Sequence, residues 1–380
     1  MSKENQYDIA VVGAGIVGLA IAYRAAQKGL KVAVFERNSR SLGASIRNFG
    51  LIWPIGQRPG RMLDRAMRSR ETWLQLAEEA GLWVQANGSL HLAYQHEELA
   101  VLEEFYDTTR DAGYQCRLLS AQETPDFSTV ARRESLQGAL WSETELTVSP
   151  RQALPRLADF LAERYGVEFH WGACITHVNA GYLSTFYEQW KAGRIYICSG
   201  VDFETLYPQE FSRSGMLKCK LQMMRTSAQP GDWKMGPSLC AGLTLRHYAA
   251  FSHCTTLGAL GERYDRELPD YKKYGIHVLL SQNQAGEMII GDSHEYGKDI
   301  SPFDSEKINT LIVDYLKTFA QFPDWQIGES WHGIYPSLPG KTELVLQAEP
   351  NVWIVNGLSG AGMSLSFGLA TEILEGTYME

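Results

Sequence analysis

The chain lacks an excess of positive charge, cysteines at paired spacing and any long apolar run. Its 35 Lys and Arg are outnumbered by 44 Asp and Glu, for a net charge of −9. Nucleic acid and anionic membranes both need a basic surface, so neither is expected as a partner. The six cysteines (Cys116, Cys174, Cys198, Cys219, Cys240, Cys254) show no CxxC and no histidine at metal-ligand spacing. That excludes a recognisable zinc motif and a disulfide framework, and no metal is expected. They read as buried thiols in a reducing compartment. No segment approaches the roughly 18 apolar residues of a membrane span. The stretch Ile9 to Ala22 has the apolarity of a signal-peptide core, but its ordered glycines, and Glu4 and Asp8 before it, argue for a folded segment. A cytoplasmic protein is expected. What remains is an ordinary globular composition, 44% hydrophobic and 21% charged over 380 residues, without repeat, low-complexity segment or linker. That length holds two domains, or one with a large insertion.

The strongest local signal is Tyr7 to Glu36. An apolar run, Ile9 to Val12, enters Gly13-Ala14-Gly15-Ile16-Val17-Gly18, followed by a helical stretch, a second apolar run at Lys31 to Phe35, and Glu36. Both runs read as strands buried on two faces. Gly13 permits the tight turn, Gly15 lets a pyrophosphate approach the backbone, and Gly18 lets the helix pack on the sheet. The helix N-terminus offers free N–H groups to that pyrophosphate, and Glu36 would accept from ribose hydroxyls. Strand, turn, helix, strand and acid in this order mark a dinucleotide site. FAD and NAD sites share the motif, so it does not choose between them.

Arg37 to Gly50 is too polar and glycine-punctuated for one element and reads as a functional loop. Met62 to Ala80 is helical with a stop at Gly81. Val84 to Tyr94 reads as a hairpin turning at Asn87-Gly88. His96 to Ala112 and the stretch after Ser149-Pro150 are helical, the latter up to Gly166. Strands follow at Val167 to Trp171, Cys174 to Val178, Tyr182 to Tyr187 and Arg194 to Cys198. Lys218 to Arg225, Ala249 to Cys254, His277 to Ser281 and Met288 to Gly291 suggest a second, mostly antiparallel sheet. Ser305 to Phe319 is helical, and Trp353 to Asn356 is a buried strand leading into Gly357 to Met363.

The expectation is an α/β protein: a Rossmann-like domain from 1–83, 147–215 and 326–380, interrupted by a mostly antiparallel β-sheet substrate domain from 84–146 and 216–325. This arrangement resembles the FAD-dependent amine oxidoreductases of the D-amino-acid oxidase, glycine oxidase and sarcosine oxidase family. The fingerprint to Glu36, Gly43-Ala44-Ser45, Cys198-Ser199-Gly200, Gly286 to Asp292, Trp331-His332-Gly333-Ile334-Tyr335-Pro336 and Gly357 to Met363 recur in the family order. The resemblance implies FAD as cofactor. It places FAD contacts at Gly13, Ala14, Gly15, Ile16, Val17, Gly18, Glu36, Arg37, Ala44, Ser45, Asn48, Gly50, Ile175, Ser199, Gly200, Ser359, Gly360, Ala361, Gly362 and Met363.

Two departures stand out. Relatives that oxidise α-amino acids carry an arginine in a Trp-x-Gly-x-Arg-Pro segment to clamp the carboxylate, and here that position is Tyr335. Sarcosine oxidases attach the flavin to a cysteine and use a lysine near it; no cysteine follows Cys254, and Ile289 falls at the lysine position. A non-covalent FAD is expected, with oxygen or a carrier as electron acceptor. The wording of Ala44 to Gln57 resembles a bacterial branch associated with aminophosphonate breakdown, which agrees with the loss of a planar carboxylate clamp.

The implied reaction is two-electron oxidation of a small primary or secondary amine to an imine that water hydrolyses to a carbonyl compound. The flavin carries the hard step, so no side-chain catalyst is assigned. Substrate contacts are expected from Arg47, Tyr335, His332, Tyr248 and His253. Arg246, Lys220 and Arg225 are further cations for an anionic substrate, and Asp292 and His294 have no assigned role. The substrate is a small amine, an aminophosphonate or its N-methyl derivative among the candidates; sarcosine, glycine or a D-amino acid is the alternative. An NAD-linked dehydrogenase and a non-catalytic flavoprotein are the remaining classes.

Overall fold

The structure, a computed structural model, describes residues 6–378. Residues 1–5 and 379–380, assigned by sequence to the Rossmann-like domain and including Glu4, lie outside the described residues. The first sheet is built on Gln6–Val12, whose Ile9, Ala10 and Val11 are fully buried, and on Val32–Glu36 beside it. Both are apolar on two faces because helices cover one side and apolar chain the other. Parallel pairing continues from Val32–Glu36 to Glu168–Trp171, and on the other flank from Gln6–Val12 through Gln189–Ile197 to Val352–Asn356. Leu344–Glu349 and two short strands, His177–Asn179 and Tyr182–Ser184, finish it antiparallel.

One face carries the helices Ile16–Gln27, Arg61–Ala80, Pro150–Tyr165 and Gly362–Glu375. Trp73 is wholly buried among them, and its Nε1 donates to the Met363 carbonyl at 2.9 Å. Gly368 has no side chain because a Cβ there would stand 2.3 Å from the Arg65 carbonyl oxygen. The bare glycine lets the two helices touch.

The second sheet centres on Leu217–Ala228, a strand long enough to pair with Ile327–Ser337 on one side and with Glu287–Gly291 and Glu295–Gly297 on the other. It continues through Leu279–Gln282, Ser238–Ala241, Ser89–Ala93 and Gly138–Ser142 to Cys116–Ser120. All pairings are antiparallel except that of Ser238–Ala241 with Ser89–Ala93. This is the expected mostly antiparallel sheet.

Three local expectations fail. Val84–Gln85 and Ser89–Ala93 are not a hairpin: the first pairs with Leu146–Val148 in a small three-stranded sheet and the second joins the large sheet. Gly88 switches the chain between them at positive φ, with the Trp141 ring where a Cβ would go. Ala249–His253 is a turn of 3-10 helix, not a strand. Its apolar residues bury Phe251 against Phe105 and His91, and a short apolar run cannot declare its own conformation. Ile327–Ser337, assigned to the cofactor domain, belongs by its pairing to the second sheet.

Candidate active site

A cavity of about 890 Å³ opens at the carboxyl ends of Gln6–Val12 and Val32–Glu36 and runs to the face of the second sheet. In a parallel α/β sheet this is where ligands bind. The glycines of the first turn divide the work as the motif implies. A Cβ on Gly13 would stand 2.3 Å from the Cys198 carbonyl oxygen, and one on Gly18 would stand 2.0 Å from the Gly13 carbonyl oxygen. Those two positions are closed by the protein itself. A Cβ on Gly15 would meet only Ser45 Oγ, at 3.2 Å, so its emptiness serves the cavity.

The Ser45 hydroxyl accepts from the Ile16 N–H at 2.9 Å, at the start of helix Ile16–Gln27. Glu36 Oε2 accepts from Ala14 N at 3.0 Å, and Oε1 accepts from Asn38 N and Nδ2. Arg37 pairs with Asp202. The Asn48 side chain donates to the Ala44 and Ser45 carbonyls, and Asn356 donates to the Gly200 carbonyl, so both loops over the cavity are held from within. A second helix, Gly362–Glu375, begins at the cavity wall, with Ser359, Gly360 and Ala361 lining it just before the helix starts. Two helix N-termini, a side-chain-free approach at Gly15 and a carboxylate at the end of the second strand fit a dinucleotide of the FAD type.

Of the expected cofactor residues, Gly13, Gly15, Ile16, Val17, Glu36, Arg37, Ala44, Ser45, Asn48, Ile175, Ser199, Gly200 and Ser359 through Met363 line the cavity. Ala14, Gly18 and Gly50 do not. Ala14 contributes its N–H to Glu36, Gly18 packs on Gly13, and a Cβ on Gly50 would stand 2.1 Å from the Val148 carbonyl oxygen. These three shape the wall from behind.

The far end of the cavity is lined by Arg47, Trp53, Met223, His247, Tyr248, His277, Asp292, His294 and Tyr335. Arg47 Nη1 donates to the His332 carbonyl at 3.3 Å, and Trp331 Nε1 donates to the Arg47 carbonyl. Two expected substrate residues are elsewhere. His332 Nδ1 turns away to Asp304 at 2.9 Å because alternation along its strand sends it to the opposite face from Tyr335. His253 bonds the Thr108 hydroxyl at 2.9 Å near the surface. The other candidate cations are also engaged outside the cavity: Lys220 by Asp304, Arg225 by Glu287 and Glu329, and Arg246 by Asp265.

Sequence reasoning missed His247 and His277 and gave His294 no role. His247 and His277 stack with ring centroids 3.7 Å apart, and His294 lies 5.1 Å from His277. Asp292 sits beside them, its Oδ1 3.2 Å from His277 Nε2 and its Oδ2 4.0 Å from His294 Nε2. Burial lowers the proton affinity of the His277 and His294 imidazoles, the latter to a pKa of about 4, and raises that of the Asp292 carboxyl. Burial also holds the Tyr248 and Tyr335 hydroxyls protonated.

Residues 8–375 match the family model described as DAO, FAD dependent oxidoreductase. The chain belongs to that family. The family is one of FAD-dependent oxidoreductases, and the fingerprint turn and the two helix N-termini are the parts of the cavity that would hold FAD. Among curated members, the glycine oxidase of Geobacillus kaustophilus is 28% identical over 166 residues, which span 42% of this chain and 43% of that protein. This chain thus aligns with less than half of that relative's length. Gamma-glutamylputrescine oxidoreductase of Escherichia coli is 23% identical across 97% of this chain and 84% of its own. The FAD-bound L-alpha-glycerophosphate oxidase of Mycoplasma pneumoniae superposes with a TM-score of 0.76 at 16% identity, covering 99% of this chain and 95% of that one. The last likeness is one of fold. No helix of the described residues is long and apolar enough to cross a membrane.

Proposed function

We propose that the protein oxidises a small primary or secondary amine, and that its preferred substrate carries a phosphonate on or near the aminated carbon. The observation that carries this reading is Tyr335, which lines the cavity where carboxylate-clamping relatives are expected to have an arginine. A carboxylate wants a planar two-point partner, and a phenol supplies a single neutral donor. Arg47 is the guanidinium at that end of the cavity, on the loop that packs against strand Ile327–Ser337, and a tetrahedral anion can meet it from one side without a planar two-point partner. Amine oxidation itself is supported by relatives named for glycine and gamma-glutamylputrescine.

When bound, FAD accepts two electrons from the carbon next to the substrate nitrogen. The chain's own residues orient that carbon, keep water away and leave the amine neutral. Enclosure lowers an amine's pKa, and Arg47 nearby lowers it further. Cys174 and Cys198, the cysteines lining the cavity, stand by the fingerprint strands, far along the cavity from Tyr335; this supports a non-covalent cofactor. The electron acceptor in this reading is oxygen or a carrier.

Anaerobic bleaching of the bound flavin against a panel of amines tests the proposal. An aminoalkylphosphonate or its N-methyl derivative should reduce the flavin faster than glycine, sarcosine or D-alanine. Faster reduction by glycine would favour the second reading, glycine oxidation, which the name of one curated relative supports. Acid precipitation should release all of the flavin, and colour in the pellet would refute the non-covalent assignment.

A further inference from the structure

We infer that His247, His277 and His294, with Asp292, form a binding site for one divalent transition-metal ion in the wall of the cavity. Each imidazole offers one ring nitrogen, and the three nitrogens lie within 4.8 Å of one another. Nitrogens sharing one zinc ion at 2.0 to 2.1 Å stand about 3.4 Å apart, so closing the set needs side-chain shifts of roughly an ångström. The carboxylate of Asp292 flanks two of the rings.

Two observations point to a cation independently of that spacing. His294 Nδ1 faces the Gly275 carbonyl at 2.9 Å, which places its proton there and leaves Nε2 with a free lone pair directed toward Asp292. A backbone carbonyl holding the outer nitrogen is how ligating histidines are oriented in metal sites. Secondly, Asp292 Oδ1 and His277 Nδ1 are buried without a hydrogen-bond partner, since the 3.2 Å approach of His277 Nε2 to that oxygen is misaligned for a bond. The two residues are 5% and 3% exposed. Unsatisfied polar atoms in such surroundings are costly unless something binds them.

The neighbours decide between a cation and an anion. The rings touch one another, Tyr248, Tyr296, Tyr335 and a carboxylate, with no arginine or lysine among these contacts. An anion lodged among the rings would meet Asp292 there, with Arg47 elsewhere on the cavity wall. Imidazoles with a carboxylate suit zinc, iron, nickel or copper, whereas magnesium and calcium prefer oxygen alone. His247 is the ring most open to the cavity, so an ion here keeps positions for water or a substrate oxygen.

The inference does not depend on which amine is oxidised, and its test does not use turnover. The FAD-loaded protein, stripped with chelator and dialysed, would be titrated with Zn²⁺ by calorimetry, and bound zinc counted after gel filtration. One zinc per chain is expected, with affinity at least tenfold weaker in both His247→Asn and His294→Gln at unchanged flavin content. Should His294→Gln fail to fold, His247→Asn decides, because its ring faces open space. Absence of saturable zinc binding by the wild type, or binding unaltered by the foldable variant, would overturn the site. So would phosphate binding that the same variants abolish while zinc does not bind at all, which would assign the cluster to an anion.

Discussion

Arg65 and Glu372 meet inside the helical layer, Nη2 to Oε2 at 2.7 Å and Nε to Oε1 at 3.0 Å, with both side chains cut off from solvent. Glu343 takes Nη1 of the same guanidinium at 2.9 Å. The pair joins helix Arg61–Ala80 to helix Gly362–Glu375, whose first turn lines the cavity. Removing Arg65 leaves buried Glu343 without its cation and Glu372 with Arg61 as its remaining partner. Arg65→Ala should therefore cost about 3 to 5 kcal/mol, measured by urea denaturation. Replacing both residues, as Arg65→Met with Glu372→Leu, should recover part of the loss; a double variant as unstable as Arg65→Ala would contradict this account.

The glycines of the fingerprint should separate into two phenotypes. Gly15 has φ −72° and ψ 175°, a conformation open to any residue, and no backbone within reach of a Cβ. Gly15→Ala should fold and retain FAD at least tenfold more weakly, an effect of about 1.4 kcal/mol. Gly18→Ala, driven into the Gly13 carbonyl, should fail at the level of folding. Circular dichroism and flavin content of the two purified proteins distinguish the outcomes, and a Gly15→Ala protein with full affinity would show that the pyrophosphate lies elsewhere.

Arg47 should govern substrate choice. If it meets the anionic group, Arg47→Ala loses a charge-assisted hydrogen bond worth roughly 1.5 to 3 kcal/mol, a ten- to hundredfold effect. Flavin reduction by an aminophosphonate should fall by that factor, and reduction by an uncharged amine of similar size much less. Equal losses for both would leave Arg47 as a loop residue that bonds the His332 carbonyl and nothing more.

His91 supplies a pH test. It is buried against Trp53 and Phe251, neither ring nitrogen has a partner, and burial holds its pKa down to about 3. As pH falls below the unfolded value near 6.5, the unfolded chain takes up a proton that the folded chain refuses. Stability attributable to this position is therefore intact above about pH 6.5 and lost progressively down to the folded value. In His91→Leu that loss disappears, so stability relative to wild type should shift toward the variant by about 2 kcal/mol between pH 8 and pH 5. Chemical denaturation at the two pH values measures it, and a pH-independent difference would refute the burial argument.

Which parts of this were legible in the sequence follows from how local each signal is. Residues 9–36 carry strand, turn, helix and acid within one short stretch, and the structure repeats them in register. The histidine cluster had no such signature. His247, His277 and His294 arrive from a turn and from two segments of the second sheet region, so only strand pairing brings them together. Gly88 misled in a related way: Asn-Gly is a hairpin signal, yet the small three-stranded sheet claims Val84–Gln85 and the large sheet claims Ser89–Ala93. His332 and Tyr335 show the limit from the other side. Their segment was identified, but the alternation that sends one ring to Asp304 and the other into the cavity depends on a register set by Leu217–Ala228.

Glu36 was read as a ribose partner, and its two oxygens are already bonded to Ala14 and Asn38. The chain's own contacts thereby hold the Glu36 carboxylate in one place. Little disorder is left there for binding to remove, and so most of the carboxylate's attraction for a cofactor remains available as affinity.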